Sequence, residues 1–152
     1  MIFFRYSEGM SKPIKVKIKK LKEVKLPQYE YHGDAGLDLH AAERCVIKKG
    51  EKFFVSTGIA LEIPEGYVGC IWDKSGLSMN HGLKTLGGVV DSGYRGEIIV
   101  GLANLSNNDY VVEKDHKVAQ MIIQKKEHVI LEETEKLSES QRDRRGFGSS
   151  GK

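Results

Sequence analysis

Apolar residues in this chain arrive in short runs, broken by glycine, proline and asparagine, and almost nowhere do they recur at helical spacing. From Ile14 to Leu21 the pattern is plainest, with Ile14, Val16 and Ile18 set against Lys15, Lys17 and Lys19. A period of two sends alternate side chains to opposite faces of a strand, so this stretch predicts a strand with one wet, lysine-bearing face. Further strand-like runs follow at "CVIKKG", "KFFVSTGIALEIP", "YVGCIW", "EIIVGLANL", "DYVVEK", "KVAQMIIQKKEH" and "VILEET". Many short strands separated by turn residues predict an all-β fold, a jelly-roll-like barrel or sandwich. The 17 glycines among 152 residues agree with this. Tight turns and close backbone approaches are where a residue without Cβ is needed.

The length suits one domain, expected over residues 13–137. Residues 1–12 read as a possible N-terminal extension, because Met10 is an alternative start. The opening "MIFFRYSEGM" has too short an apolar run for a secretory signal, and no later segment approaches membrane-spanning length. A cytoplasmic, reducing setting without a membrane partner is therefore expected. Cys45 and Cys70 form no C-x-x-C pair and the five histidines lack ligand spacing, which argues against a structural zinc. With 24 basic against 21 acidic residues, the charge does not demand a nucleic-acid polymer but leaves small anions open. Past Leu137 the composition turns to "SESQRDRRGFGSSGK", which cannot nucleate a core and predicts a flexible C-terminal arm over 138–152. Read from Gly146, that arm begins like a phosphate-cradling loop, G-x-x-x-x-G-K, although no helix follows to complete one.

Five stretches sit poorly with a purely architectural reading: "HGDAGLDLHA", "WDKSGLSMNHG", "GGVVDSGYRGEI", "KVAQMI" and the arm. In "DKSGLS" an ammonium, a hydroxyl and a glycine amide stand side by side, a set that suits phosphate oxygens, though a capped turn would use the same residues. "DSG" is an ordinary hairpin turn, and by local pattern alone Asp91 is a turn former.

Together, in order and spacing from residue 26 to 151, these stretches resemble the five motifs of the homotrimeric dUTPase family: "GDAGLDL", "DKSGLS", "GGVVDSGYRGEI", "VAQMI", and a fifth running from Arg142 through "GFGSSG". The resemblance implies a jelly-roll trimer that hydrolyses dUTP to dUMP and pyrophosphate, limiting uracil in DNA and supplying dUMP for thymidylate synthesis. Each active site would be assembled from three chains. By the same resemblance Asp91 is the general base for a water attacking the α-phosphorus, and Gln120 helps to hold that water. Lys74, Ser75 and Gly76 meet the phosphates, while Gly88, Val89 and Val90 offer backbone groups to uracil. Tyr94 packs on the deoxyribose and leaves no room for a 2′-hydroxyl. The arm becomes a lid over another subunit's site, with Phe147 on the base and Arg142, Gly148 and Ser149 over the phosphates. Mg2+ rides on the triphosphate and touches Asp38 through water.

Two departures from the family pattern stand out. Lys74 occupies a position usually held by arginine, keeping the charge but losing the planar fork. Asp143, Arg144 and Arg145 intervene where glycines are usual, and Arg144 or Arg145 could compensate for Lys74. The related dCTP deaminases, with a similar third motif, need a glutamate a few residues past that motif's tyrosine or tryptophan, and aligned by Gly96 that position is Gly101 here. A non-catalytic single-strand binder of the same shape would interleave aromatic and basic residues on one strand face, and here they do not alternate.

Overall fold

The computed structural model describes residues 13–141 and Arg144. In chain order the elements are β1 (Lys17–Lys20), β2 (Leu37–His40), β3 (Cys45–Ile47), β4 (Lys52–Glu62), β5 (Tyr67–Trp72), α1 (Ser75–His81), β6 (Leu83–Leu86), β7 (Val89–Val90), β8 (Glu97–Asn104), β9 (Tyr110–Val112) and β10 (Lys117–Lys125). One four-stranded sheet runs β1-β4-β8-β6 and a second runs β2-β10-β5-β7, with β3 and β9 paired apart. All these pairings are antiparallel. The result is a sandwich, and among the described residues no sheet closes into a barrel.

Period-two patterning is clearest at the start of β8, whereas β4 is buried continuously from Thr57 to Leu61. In β8, Ile98, Val100 and Leu102 are buried while Ile99 is exposed. They meet Val55, Ile59 and Leu61 of β4 and, from the other sheet, Leu39, Val118 and Met121, forming one apolar cluster. Each fully buried aliphatic side chain contributes about 1.5–3 kcal/mol relative to exposure, so this shared interior is what holds the sheets together.

The β4–β8 ladder is irregular at one place. Ser56 pairs with Ile99, yet the next pair is Ala60 with Glu97, so β4 carries two surplus residues there. Gly58 lies in this bulge with φ at +69°, and a Cβ on it would stand 2.8 Å from Val24 Cγ1. Its carbonyl accepts the N–H groups of Leu21 and Lys22.

Three expectations need correction. The first strand begins only at Lys17, and all four of its residues are exposed. "VILEET" is not a strand: β10 ends opposite Tyr67 of β5, and beyond the bond from Lys126 N–H to the Gly66 carbonyl β5 offers nothing further to pair with. Val129, Ile130 and Leu131 are accordingly exposed. Finally, "SGLSMNH" forms α1, which its sequence did not announce because the helix buries no residue and so has no apolar stripe. Gly82, left-handed at φ 66°, ends it by donating to the carbonyls of Leu77 and Ser78.

Candidate active site

Sheet order gathers stretches that are far apart in the chain. Asp38 of β2 pairs with Gln120 of β10, which on its other side pairs with Trp72 of β5, so one row joins the first and fourth motifs to the residue that leads into the second. Asp38 is only 2% exposed. Its Oδ1 accepts a hydrogen bond from Lys74 Nζ at 2.6 Å, and its Oδ2 lies 2.8 Å from Lys117 Nζ. Lys117 also donates to Glu30 at 2.7 Å. Burial pushes the Asp38 carboxyl upward, but the ammonium groups of Lys117 and Lys74 outweigh it and hold the group below the usual aspartate range.

Gln120 donates from Nε2 to the Asp73 carbonyl at 2.9 Å. It has room only because Gly36 faces it: a Cβ there would lie 2.5 Å from Gln120 Oε1. The Asp73 carboxylate accepts the N–H and hydroxyl of Thr85, each at 2.7 Å, and pairs with Lys84. Asp73 thus fixes the turn that presents Lys74, and behind it the exposed Ser75 and Gly76 at the start of α1.

A second group forms at the far edge of the same sheet, where β7 pairs with β5. Ile71 N–H donates to the Gly88 carbonyl at 2.7 Å, and Gly88 takes φ +115°, with the Ile71 carbonyl 2.7 Å from where a Cβ would be. No other residue type fits that approach. Next to it lies a cavity of about 230 Å³ lined by Ile71, Gly88, Val89, Val90, Asp91, Tyr94 and Glu97. Asp91 is exposed, and its carbonyl accepts Tyr94 N–H at 3.1 Å. The Tyr94 hydroxyl donates to the Glu97 carbonyl at 2.9 Å. The Glu97 carboxylate accepts Gly58 N–H at 2.7 Å and the Ser56 hydroxyl. Burial raises the Glu97 carboxyl, while Ser56 and Gly58 outweigh it and lower it overall.

The site residues expected from the sequence therefore fall into two groups in one chain, Asp38, Lys74, Ser75, Gly76 and Gln120 in the first and Gly88, Val89, Val90, Asp91 and Tyr94 in the second. Arg142, Phe147, Gly148 and Ser149, with Asp143 and Arg145, lie outside the described residues. Four participants went unassigned by sequence reasoning: Gly36, Asp73, Glu97 and Lys117. Each stands inside or beside a recognised stretch, but only strand register reveals what it touches. Gly101, where a deaminase would carry its glutamate, is buried with Leu86 Cβ 3.2 Å from the site of a Cβ.

His40, two residues beyond Asp38, is 5% exposed, and its Nδ1 has no hydrogen-bond partner among the described residues. Burial holds its imidazole below the ordinary range, only partly opposed by Asp38. As pH falls through the ordinary histidine range, the unfolded chain takes up a proton that the folded chain refuses, so stability is full above that range and declines below it. Urea unfolding midpoints are expected to drop between about pH 7.5 and about pH 5.5, and His40→Gln is expected to flatten that step. An unchanged slope in the variant would exclude His40 as its source.

The family model described as dUTPase matches residues 22–151. The chain is 46% identical over 140 residues to the deoxyuridine 5'-triphosphate nucleotidohydrolase of Clostridium tetani, covering 90% of this chain and 97% of that one. It is 45% identical over 144 residues to the Rickettsia prowazekii protein of the same name, covering 91% and 97%. Among solved structures, the Staphylococcus bacteriophage 80alpha dUTPase with dUPNHPP superposes with a TM-score of 0.84 at 29% identity, over 90% of this chain and 98% of that one. A variant dUTPase from phage phi11 of S. aureus, solved to show coordination of a structural Mg(II) ion, superposes at 0.77 with 25% identity, over 83% of this chain and 100% of that one.

Proposed function

Since the chain belongs to the dUTPase family, we propose that it hydrolyses dUTP to dUMP and pyrophosphate, with Asp91 deprotonating the water that attacks the α-phosphorus. The activity is that of the family; the roles given to individual residues are the proposal. What supports them best is the row from Asp38 through Gln120 to Trp72, which brings three separated stretches to one patch beside Lys74.

In this reading Gln120 steadies the attacking water, and Lys74, Ser75 and Gly76 receive the phosphates. Uracil enters the cavity beside Gly88, where backbone groups of Gly88, Val89 and Val90 read its edge. A cytosine would leave such buried polar groups unpaired, which discriminates steeply. Tyr94 packs on the deoxyribose. The two groups of site residues are joined across subunit interfaces of a homotrimer, and Arg142, Phe147, Gly148 and Ser149 come from a further chain.

Among the described residues no three histidine, cysteine, aspartate or glutamate side chains converge to hold a metal. The single buried carboxylate of Asp38, already facing two ammonium groups, suits an ion carried chiefly by the triphosphate and reached through water. Mg2+, when bound, offsets the negative charge that builds on the phosphates. Lys74 is engaged by Asp38 and must exchange that carboxylate for phosphate, after which Lys117 still balances Asp38.

Because Lys74 contacts ground-state phosphate in this scheme, Lys74→Ala is expected to raise KM for dUTP more than it lowers kcat, whereas Lys74→Arg is expected to be neutral or improved. Steady-state kinetics decide it, and an inactive arginine variant would mean that the site is rebuilt around lysine. The functional reading itself is tested by a pyrophosphate-release screen across the common nucleoside triphosphates, with and without Mg2+. Release from dUTP alone is expected; ammonia from dCTP would overturn the assignment.

A further inference from the structure

We propose that Glu97 is a positioning residue that sets where the Tyr94 ring stands, and through it how steeply the sugar pocket rejects a 2′-hydroxyl; this rests on the sugar-binding reading of Tyr94 above.

Tyr94 is 46% exposed, so packing alone does not fix it. Two contacts do. The ring lies across Gly96, where any Cβ would collide with the tyrosine hydroxyl and ring, and the hydroxyl donates to the Glu97 carbonyl at 2.9 Å. The ring is therefore placed no more sharply than that carbonyl, which belongs to the first residue of β8.

Glu97 pairs with Ala60 of β4, but the ladder that would continue from that pair toward Ser56 is interrupted. Here the register slips between Ser56 and Ala60, directly opposite the start of β8. The Glu97 side chain spans the irregularity, since its Oε1 accepts both Gly58 N–H and the Ser56 hydroxyl. Both partners are themselves anchored: the Gly58 carbonyl takes Leu21 and Lys22 N–H, and Lys22 Nζ donates to Ser56 Oγ at 3.1 Å. An exposed aromatic ring is in this way tied, through one carboxylate, to the buried bulge of the opposite strand. Hydrogen bonds to an ionised acceptor are shorter and stronger than neutral ones, which suits a tether that must resist small displacements.

Rejecting one added hydroxyl is a demanding task, because an apolar wall that can yield does so at little cost. A wall held to within a fraction of an ångström does not yield, and misplacement by about 1 Å is enough to change rates a hundredfold.

The test compares kcat/KM for dUTP and UTP in the full-length protein, together with equilibrium binding of a non-hydrolysable dUTP analogue and its ribose counterpart. Glu97→Ala is expected to lower the dUTP preference on the order of tenfold in both measurements. Glu97→Gln, which keeps an acceptor for Gly58 N–H, is expected to restore most of it. Tyr94→Phe, which keeps the ring but loses the hydroxyl, should reproduce the loss, and combining it with Glu97→Ala should add little more. A purely architectural role would depress both substrates by the same factor and leave the preference intact, and that result in folded Glu97→Ala would overturn the proposal. Should Glu97→Ala fail to fold, Glu97→Asp, whose shorter carboxylate falls short of Gly58, carries the same expectation, and an unchanged preference there would overturn it equally. A parent protein that hydrolyses dUTP and UTP alike would sink the sugar reading of Tyr94 and this proposal with it, while leaving the phosphate chemistry untouched.

Discussion

Asp91→Asn is expected to bind a non-hydrolysable dUTP analogue about as tightly as the parent chain, while hydrolysis falls by roughly two to four orders of magnitude, the usual scale for losing a general base. The substitution is nearly isosteric, so it tests proton acceptance and little else. The backbone of the turn does not depend on the side chain, because Tyr94 N–H is held by the Asp91 carbonyl. Asp91 is also exposed at the mouth of the cavity, free of any ion pair among the described residues that its loss would disrupt. Calorimetric titration measures the binding and single-turnover pyrophosphate release measures the chemistry. Near-normal turnover would remove Asp91 from the mechanism.

The second large effect is a recovery rather than a loss. Asp91→Asn protein and protein truncated after Leu137 are each expected to be nearly inactive, the first for want of a base and the second for want of a lid. Refolded together, they are expected to regain a statistical share of activity, because some sites then combine an intact Asp91 from a truncated chain with an intact arm from an Asp91→Asn chain. The outcome is specific to an arm that serves a neighbour. In a symmetric ring every interface is repeated, so a contact made between chains in one site is made between chains in all of them, and mixing redistributes the parts. An arm folded back over its own Asp91 could never complement in this way. No recovery, with subunit exchange verified by mass, would show that base and arm act within one chain or that the arm is not a lid.

The long strands β4 and β8 are legible in the sequence because each is a run rich in β-branched and apolar residues bounded by turn residues, and in β8 the buried Ile98 and Val100 flank the exposed Ile99. The helix α1 is not, since it is made of "SGLSMNH" with nothing buried, and what bounds it is the backbone geometry of Gly82. "VILEET" misleads for the opposite reason: its side chains suit a strand, but strand formation needs a partner edge, and β5 has ended. In the site, it is the resemblance to the family's motifs that points to Asp38, Lys74, Asp91, Tyr94 and Gln120 without any coordinates, since local pattern alone reads Asp91 as a turn former. That Lys74 is held by Asp38, that Gln120 needs Gly36, and that Glu97 reaches Gly58 across a register slip are facts of pairing between distant strands. A one-dimensional pattern carries periodicity and motif spacing; it does not carry the offset at which two strands meet.

The first strand has one more consequence. Among the described residues β1 closes its sheet at one edge, and Lys17, Lys19 and Lys20 all project into solvent there. An exposed edge invites another sheet to zip onto it, and charge along the border discourages this by repulsion, Lys19 most directly because Lys17 and Lys20 are each paired with a glutamate. Repulsion of that kind reaches about 10 Å at 0.1 M salt and about 3 Å at 1 M. Concentrated salt weakens that guard, so self-association through this border is expected to be greater at high ionic strength than in dilute buffer.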